Sequence, residues 1–350
     1  MRYNLMFEGQ QGVTWDEWTA AADACERLGF EGLYSSDHYF PTAGTHERGS
    51  SDAWTVLAAL AARTTHVRLG TLVSPVTFRR PAHLAKTVVT IDRISGGRVD
   101  LGLGAGWWEE EHRTHGFPFP PTATRFEMLD EQLEIIHGLF TKDPFWFSGV
   151  HHHLEEGRFL PKPVQRPHPP IIVGGAGGPR LAALTARWAD EFNTVAVEPP
   201  VARERFERVR HAVEAAGRDP SAVVASVMTW VFVGASEGEW RARLERARRV
   251  DSDMDEEWVQ RACIVGTPDQ AAERLIEYAD AGAQRMMLNH ALSTTWTCSS
   301  CLRRRSSRGW RRPAGDGHEM TLRRVGPAKD LRHASGGCIR RCSRSLCLAG

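Results

Sequence analysis

Short apolar runs with strand character recur along the chain at Tyr3 to Phe7, Gly32 to Ser36, Val67 to Val73, Val99 to Leu103, Ile171 to Val173, Asn193 to Val197, Ala225 to Val233 and Arg285 to Leu288. Between them the period changes. Trp18, Ala22 and Cys25 fall on one helix face, as do Leu84, Val88 and Ile91, then Phe126, Leu129, Leu133 and Ile136. Phe206, Val209 and Val213 form a fourth stripe, and Ala272, Leu275, Ile276 and Ala279 a fifth. Thr14 with Glu17 makes a capping box before the first helix, and Thr267, Pro268 and Gln270 do the same before the last. Gly29 and Gly282 are placed as C-terminal caps. Alternating strand and helix implies parallel strands joined by crossover helices, and eight such units are the count that closes a (β/α)8 barrel of the TIM type. One stretch breaks the rhythm: Lys142 to Pro170 carries aromatic patches at Phe145 to Phe147 and Phe159 to Leu160, then five prolines, and reads as an inserted hairpin with a proline-rich return.

The composition, 41% apolar and 25% charged, is that of an ordinary globular chain, and no stretch approaches the roughly 20 apolar residues of a spanning helix. Without a signal-like segment at Met1 to Phe7, the expectation is a cytoplasmic protein with no membrane association. The formal charge of +1 averages two unlike parts. Up to Thr297 there are 31 basic against 40 acidic residues, and in the last 53 residues 13 against 3. Cysteine divides the same way: Cys25 and Cys263 stand alone in the body, whereas Cys298, Cys301, Cys338, Cys342 and Cys347 crowd the tail. The body therefore reads as a barrel domain over residues 1–293, its insertion at about 142–170, followed by a basic tail over 294–350.

In such a barrel, chemistry sits at the C-terminal strand ends. Asp37 beside His38 follows the second run and suits proton transfer, or else is a loop carboxylate capping its own turn. Gly102, Gly104 and Gly106 end the fourth run without completing a dinucleotide fingerprint; they mark a backbone that bends or lets a flat ligand approach. Glu109 and Glu111 come just after them. Gly174, Gly175, Gly177 and Gly178 lie between a strand and a helix opening at Pro179, where free backbone N–H groups hold a phosphate and Arg180 adds charge, or where a plain flexible turn is needed. Trp107 and Trp108 flank the glycine turn, walling a ring-binding cleft or packing against helices. His151 to His153 alternate in direction along a strand and cannot converge on one ion, so no metal is expected.

The stretches FEGQQG, LGFEGLYSSDHY, LGTLVSPVTFRRPAHLAKTVVTIDRISGGRVDLGLGAGWWEEEH, PVQRPHPPIIVGGAGG and GTPDQAAERL, in this order, resemble the luciferase-like monooxygenase superfamily, in particular its branch of coenzyme F420-dependent oxidoreductases. The resemblance implies a flavin or 5-deazaflavin at the strand C-termini. It implies a non-prolyl cis peptide at Leu72 and Val73 backing the ring, with Gly104, Ala105 and Gly106 beside it. The cofactor phosphate would lie on Gly174 to Gly178, and His38, with Asp37, would serve proton transfer, joined by Glu109 or Glu111. The implied activity is hydride transfer between F420 and a small organic substrate. An FMN monooxygenase with a partner reductase uses a similar barrel, and a homodimer is a common assembly. Substrate choice falls to Thr42 to Ser51, Thr114 to Thr122 and the insertion.

From about Thr294 the family pattern stops where an eighth helix is due. Cys298-x-x-Cys301 and Cys338-x-x-x-Cys342 amid arginines permit a zinc or nucleic-acid module, a function of another class, as would be a non-catalytic cofactor carrier. Regrouping allowed codons for Thr294 to Trp310 one base earlier instead yields an acidic, capped, partly apolar segment like the missing helix. A shifted reading frame is the expectation, with the tail disordered by composition and nucleic acid not a partner.

Overall fold

The computed structural model describes residues 1–44, 49–251 and 254–290, so the tail reading lies outside the described residues. Eight parallel strands close a barrel: β1 (Arg2–Phe7), β2 (Gly32–Ser35), β3 (Arg68–Thr71), β4 (Val99–Gly104), β5 (Ile171–Gly174), β6 (Glu191–Val195), β7 (Val224–Val233) and β8 (Arg285–Asn289). Each pairs with its neighbour in the chain, and β8 returns to β1 with Arg2 opposite Arg285 and Met6 opposite Asn289. Every expected run overlaps a strand, because each is largely apolar over the four to ten residues that form the barrel wall.

The helices are α1 (Trp15–Leu28), α2 (Ala53–Arg63), α3 (Pro81–Ser95), α4 (Glu109–His115), α5 (Thr122–Thr141), α6 (Pro179–Trp188), α7 (Pro199–Ala215), α8 (Glu237–Arg248), α9 (Glu256–Ala262) and α10 (Pro268–Asp280). Thr14 and Thr267 form both capping boxes, and Gly29 closes α1 in the left-handed region. At α10 the cap is Ala281, with Gly282 following at φ +104°. The periodicity misses α2 because AWTVLAALAAR is apolar almost all round, and α8 because its buried stripe is only Trp240, Leu244 and Ala247 among charges. α8, α9 and a short strand, Ile264–Gly266 on the end of β7, lie between β7 and α10 and add material over the barrel mouth.

Two readings are corrected. The run Val67 to Val73 is not one strand: the ladder stops at Thr71, and Ser74 and Pro75 then pair with Leu103 and Gly104 of β4. The sixth strand begins at Glu191, ahead of the run Asn193 to Val197, and stops at Val195. The inserted hairpin forms as expected, with Phe145–Ser148 antiparallel to His153–Gly157 and the second aromatic patch outside it. Phe159 is instead buried against the main core while Leu160 faces out.

Alternation along the strands sorts the interior into layers. The lowest is charged: Arg285 donates to Glu31 Oε2 at 2.8 Å, to the Tyr34 hydroxyl at 2.6 Å and to Asn4 Oδ1 at 3.3 Å, and also pairs with Glu191. Above it Met6, Tyr34, Leu72, Ile172, Met228 and Met287 form an apolar plug separate from the larger core between strands and helices. Cys25 and Cys263 are buried free thiols, and burial raises both thiol pKa values, Cys263 to about 12. No described helix is long and apolar enough to cross a membrane.

Candidate active site

Above the plug, at the C-terminal strand ends, opens a cavity of about 550 Å³. Met6, Leu72 and Met228 floor it, and Val73, Pro75, Gly104 to Trp107 and Gly174 to Ala176 contribute its walls. Thr42 and Ala43, Phe126 of α5, and Ala247, Val250 and Met254 from α8 and the segment beyond it complete the lining. The Leu72–Val73 peptide is cis. Around it the glycines are dictated by space: a Cβ at Gly102 would lie 2.1 Å from the Thr71 carbonyl oxygen, and Cβ atoms at Gly104 and Gly174 would each lie 2.8 Å from a Val73 methyl. These three glycines seat the break in β3. Gly106, at φ +77°, is the one whose backbone conformation itself favours glycine in this turn.

His38 lines the cavity with its side chain 13% exposed. Its Nδ1 is 2.8 Å from Glu111 Oε2, and Glu111 Oε1 accepts from the Tyr39 amide, so a buried carboxylate of α4 fixes the imidazole from behind. With Nδ1 engaged, Nε2 is the nitrogen left for the cavity. Trp107 and Trp108 pack edge-on to the ring at centroid distances of 6.0 Å. Asp37 does not serve His38. Its carboxylate is buried, accepts from Ser74 Oγ and pairs with Arg79, which also binds Asp52 at 2.6 Å. Burial alone would lower the Arg79 pKa, yet Asp37 raises it. Glu109, the exposed first residue of α4, is not in the lining.

Glu8 is a site residue the sequence reading passed over. It immediately follows β1 and lines the cavity. Burial raises its carboxyl pKa, Asn289 and His38 pull the other way, and Asp251 adds to the rise. The strand-end rule that named Asp37 names Glu8 equally, and FEGQQG contains it. Deeper in, Asn193 Oδ1 and Trp230 Nε1 are buried polar atoms of the lining without a hydrogen-bond partner. Asn193 Nδ2 is satisfied by Ser226 Oγ at 2.8 Å.

Gly174 and Gly175 line the cavity together with Ala176; Gly177 and Gly178 continue the loop outside it. Gly178 is the N-cap of α6, and the first helical bond runs from the Ala182 amide to Gly178 O. The Arg180 and Leu181 amides thus lack helical acceptors, the arrangement that favours an anion. Arg180 itself turns away: its guanidinium is 3.5 Å from Glu127 and lies over the Phe126 ring, and it is absent from the lining. Among the described residues the titratable side chains of the lining are Glu8, His38 and Asp251. The three histidines face carboxylates of α5 and their own strand, His151 with Glu127, His152 with Glu131 and His153 with Glu155. The described residues hold no cluster able to ligate a metal.

The family model described as luciferase-like monooxygenase matches residues 3–285. An F420-dependent glucose-6-phosphate dehydrogenase of Amycolatopsis mediterranei is 28% identical over 290 residues, 75% of this chain and 85% of the relative. An FMNH2-dependent dimethylsulfone monooxygenase of Pseudomonas putida is 26% identical over 313 residues, covering 79% and 84%. Among solved structures, an F420-dependent secondary alcohol dehydrogenase superposes with a TM-score of 0.73 at 21% identity, over 83% of this chain and 93% of that one. Relatives of both cofactor types are thus oxidoreductases or monooxygenases on one barrel. The match runs from the first strand to the first residue of the last, well over half of the chain, and the chain belongs to the luciferase-like monooxygenase family.

Proposed function

We propose that this chain transfers a hydride between coenzyme F420 and a small organic substrate, both held in the cavity above the plug. The observation that carries the reading is the His38–Glu111 pair in the cavity wall, a fixed imidazole of the kind proton transfer needs beside a hydride step. The F420-dependent glucose-6-phosphate dehydrogenase among the relatives supports the cofactor class. The residues present fit a flat, partly polar ring with an anionic arm. The glycine-seated Leu72–Val73 segment and Gly104 to Gly106 give a wall without bulky side chains, and Asn193 Oδ1 and Trp230 Nε1 await polar partners. Gly174, Gly175 and the open amides at the start of α6 would take the phosphate.

When bound, the deazaflavin ring supplies hydride chemistry. The protein does the rest. Glu111 holds His38 Nδ1, so that Nε2 gives or takes the substrate's proton. Trp107 and Trp108 pack edge-on beside the imidazole, with Phe40 behind Trp108, and help to hold the ring in place. Glu8, its carboxyl pKa raised by burial, lines the same cavity as His38. Equilibrium titration with F420 and FMN side by side, read from tryptophan emission, tests the cofactor: Trp107 and Trp230 both line the cavity. Tight binding of F420 with weak binding of FMN is expected; the reverse order places the chain with its FMNH2-dependent relatives.

A further inference from the structure

The phosphate of such a cofactor calls for a cation that Arg180, engaged by Glu127, does not offer. Two other arginines converge on the same glycine loop from α7. Arg208 Nη1 donates to Gly177 O at 3.0 Å, and a Cβ at Gly177 would lie 3.3 Å from Arg205 Cβ and 3.4 Å from its Cγ. Arg205 Nη1 donates to Thr194 Oγ1 of β6 at 2.7 Å; like Arg180, Arg205 and Arg208 stand outside the cavity lining, but they adjoin the loop itself. Arg208 has its charge balanced by Glu204 at 2.6 Å, whereas the hydrogen-bond partner of Arg205 is this neutral hydroxyl. Burial, and then Arg208, push the Arg205 pKa down, with Glu204 opposing. Two guanidinium groups brought together against an uncharged turn repel each other, and a partly desolvated one gains most from an anion nearby.

We infer that Arg205 supplies the positive charge that draws the cofactor phosphate onto the Gly174 to Gly178 loop, while Arg208 holds the loop through the Gly177 carbonyl. The inference rests on the cofactor reading above and adds the source of charge that the loop amides lack. Arg205 acts across the turn on a bound dianion, so its effect depends on charge and on salt.

The test compares ligands that differ in the phosphate arm. Full-length protein is titrated with F420 and with its phosphate-free ring-and-ribityl precursor, and with FMN and riboflavin, following ligand and tryptophan fluorescence. In the wild type the phosphate-bearing member of the better-bound pair should win. Arg205→Gln should cut that preference by about tenfold and flatten its salt dependence, leaving the affinity for the phosphate-free member unchanged. Arg205→Lys should keep most of the preference. An unchanged preference in Arg205→Gln overturns the inference, as does equal weakening of both members of a pair or a lysine variant no better than glutamine. A wild type that binds phosphate-bearing and phosphate-free ligands equally also overturns it, with the cofactor cavity left standing; a wild type that binds none of the four sinks the cofactor reading itself.

Discussion

His38 and Asp37, neighbours in the loop just past β2, send their side chains to different places. His38 enters the cavity and Asp37 goes to Arg79 and Ser74. The carboxylate that orients His38 comes instead from 73 positions further on. Replacing His38 by alanine should lower kcat by about 10²–10⁴ with little change in cofactor Kd, measured by steady-state kinetics alongside fluorescence titration. Glu8 brings a pH dependence of its own. Its folded pKa lies above the ordinary 4.5, so between these values the native state binds more protons than the unfolded chain. Stability attributable to Glu8 therefore falls as pH rises from 4.5 through its raised value. Glu8→Gln removes that loss, and its melting temperature should overtake that of the wild type across this window in melts run from pH 4 to pH 8.

At the scale of elements, the break after β3 and the glycines of β4 and β5 form one unit. Val73 occupies the space that side chains at Gly104 and Gly174 would fill. Gly104→Ala should weaken cofactor binding by displacing Val73, and Val73→Ala in the same chain should recover part of the loss, since a methyl is then traded for the missing branches; titration of the single and double variants checks this. Gly102→Ala has no such remedy, because its Cβ meets the Thr71 backbone, and it should cost stability beyond about 3 kcal/mol in urea unfolding. The glycines could be read from the sequence; the partner that demands them could not, since Val73 approaches across two strands. A smaller device shows the same limit. Glu26 of α1 accepts from the amides of Thr65, His66 and Val67 ahead of β3. Burial would raise its pKa, but these bonds hold it down at about 2, so its stabilisation is present above pH 4.5 and lost as pH falls toward 2.

For the whole molecule, closure depends on the charged lower layer. Arg285 of β8 reaches Glu31, Tyr34, Asn4 and Glu191, tying the last strand to the first, second and sixth. Arg285→Met leaves Glu191 as a buried carboxylate without its cation, while Asp100 keeps Arg68, and should destabilise by about 3–5 kcal/mol in denaturant unfolding, where a surface arginine would cost little. The order of strands and helices, and with it a ring of eight parallel strands, was written in the chain, because apolar period and capping are local properties of consecutive residues. The sequence likewise drew attention to His38 and to the glycine turns, parts of which line the cavity, and the resemblance pointed to the cis peptide at Leu72–Val73. Tertiary structure alone decided that Glu111 and not Asp37 bonds His38, that Glu8 lines the same cavity, and that Arg180 turns to Glu127 while Arg205 and Arg208 of α7 pack beside the glycine loop. Which polar groups share a cavity depends on the direction in which each side chain leaves a strand or helix, and on elements far apart in the chain that meet only when the barrel closes.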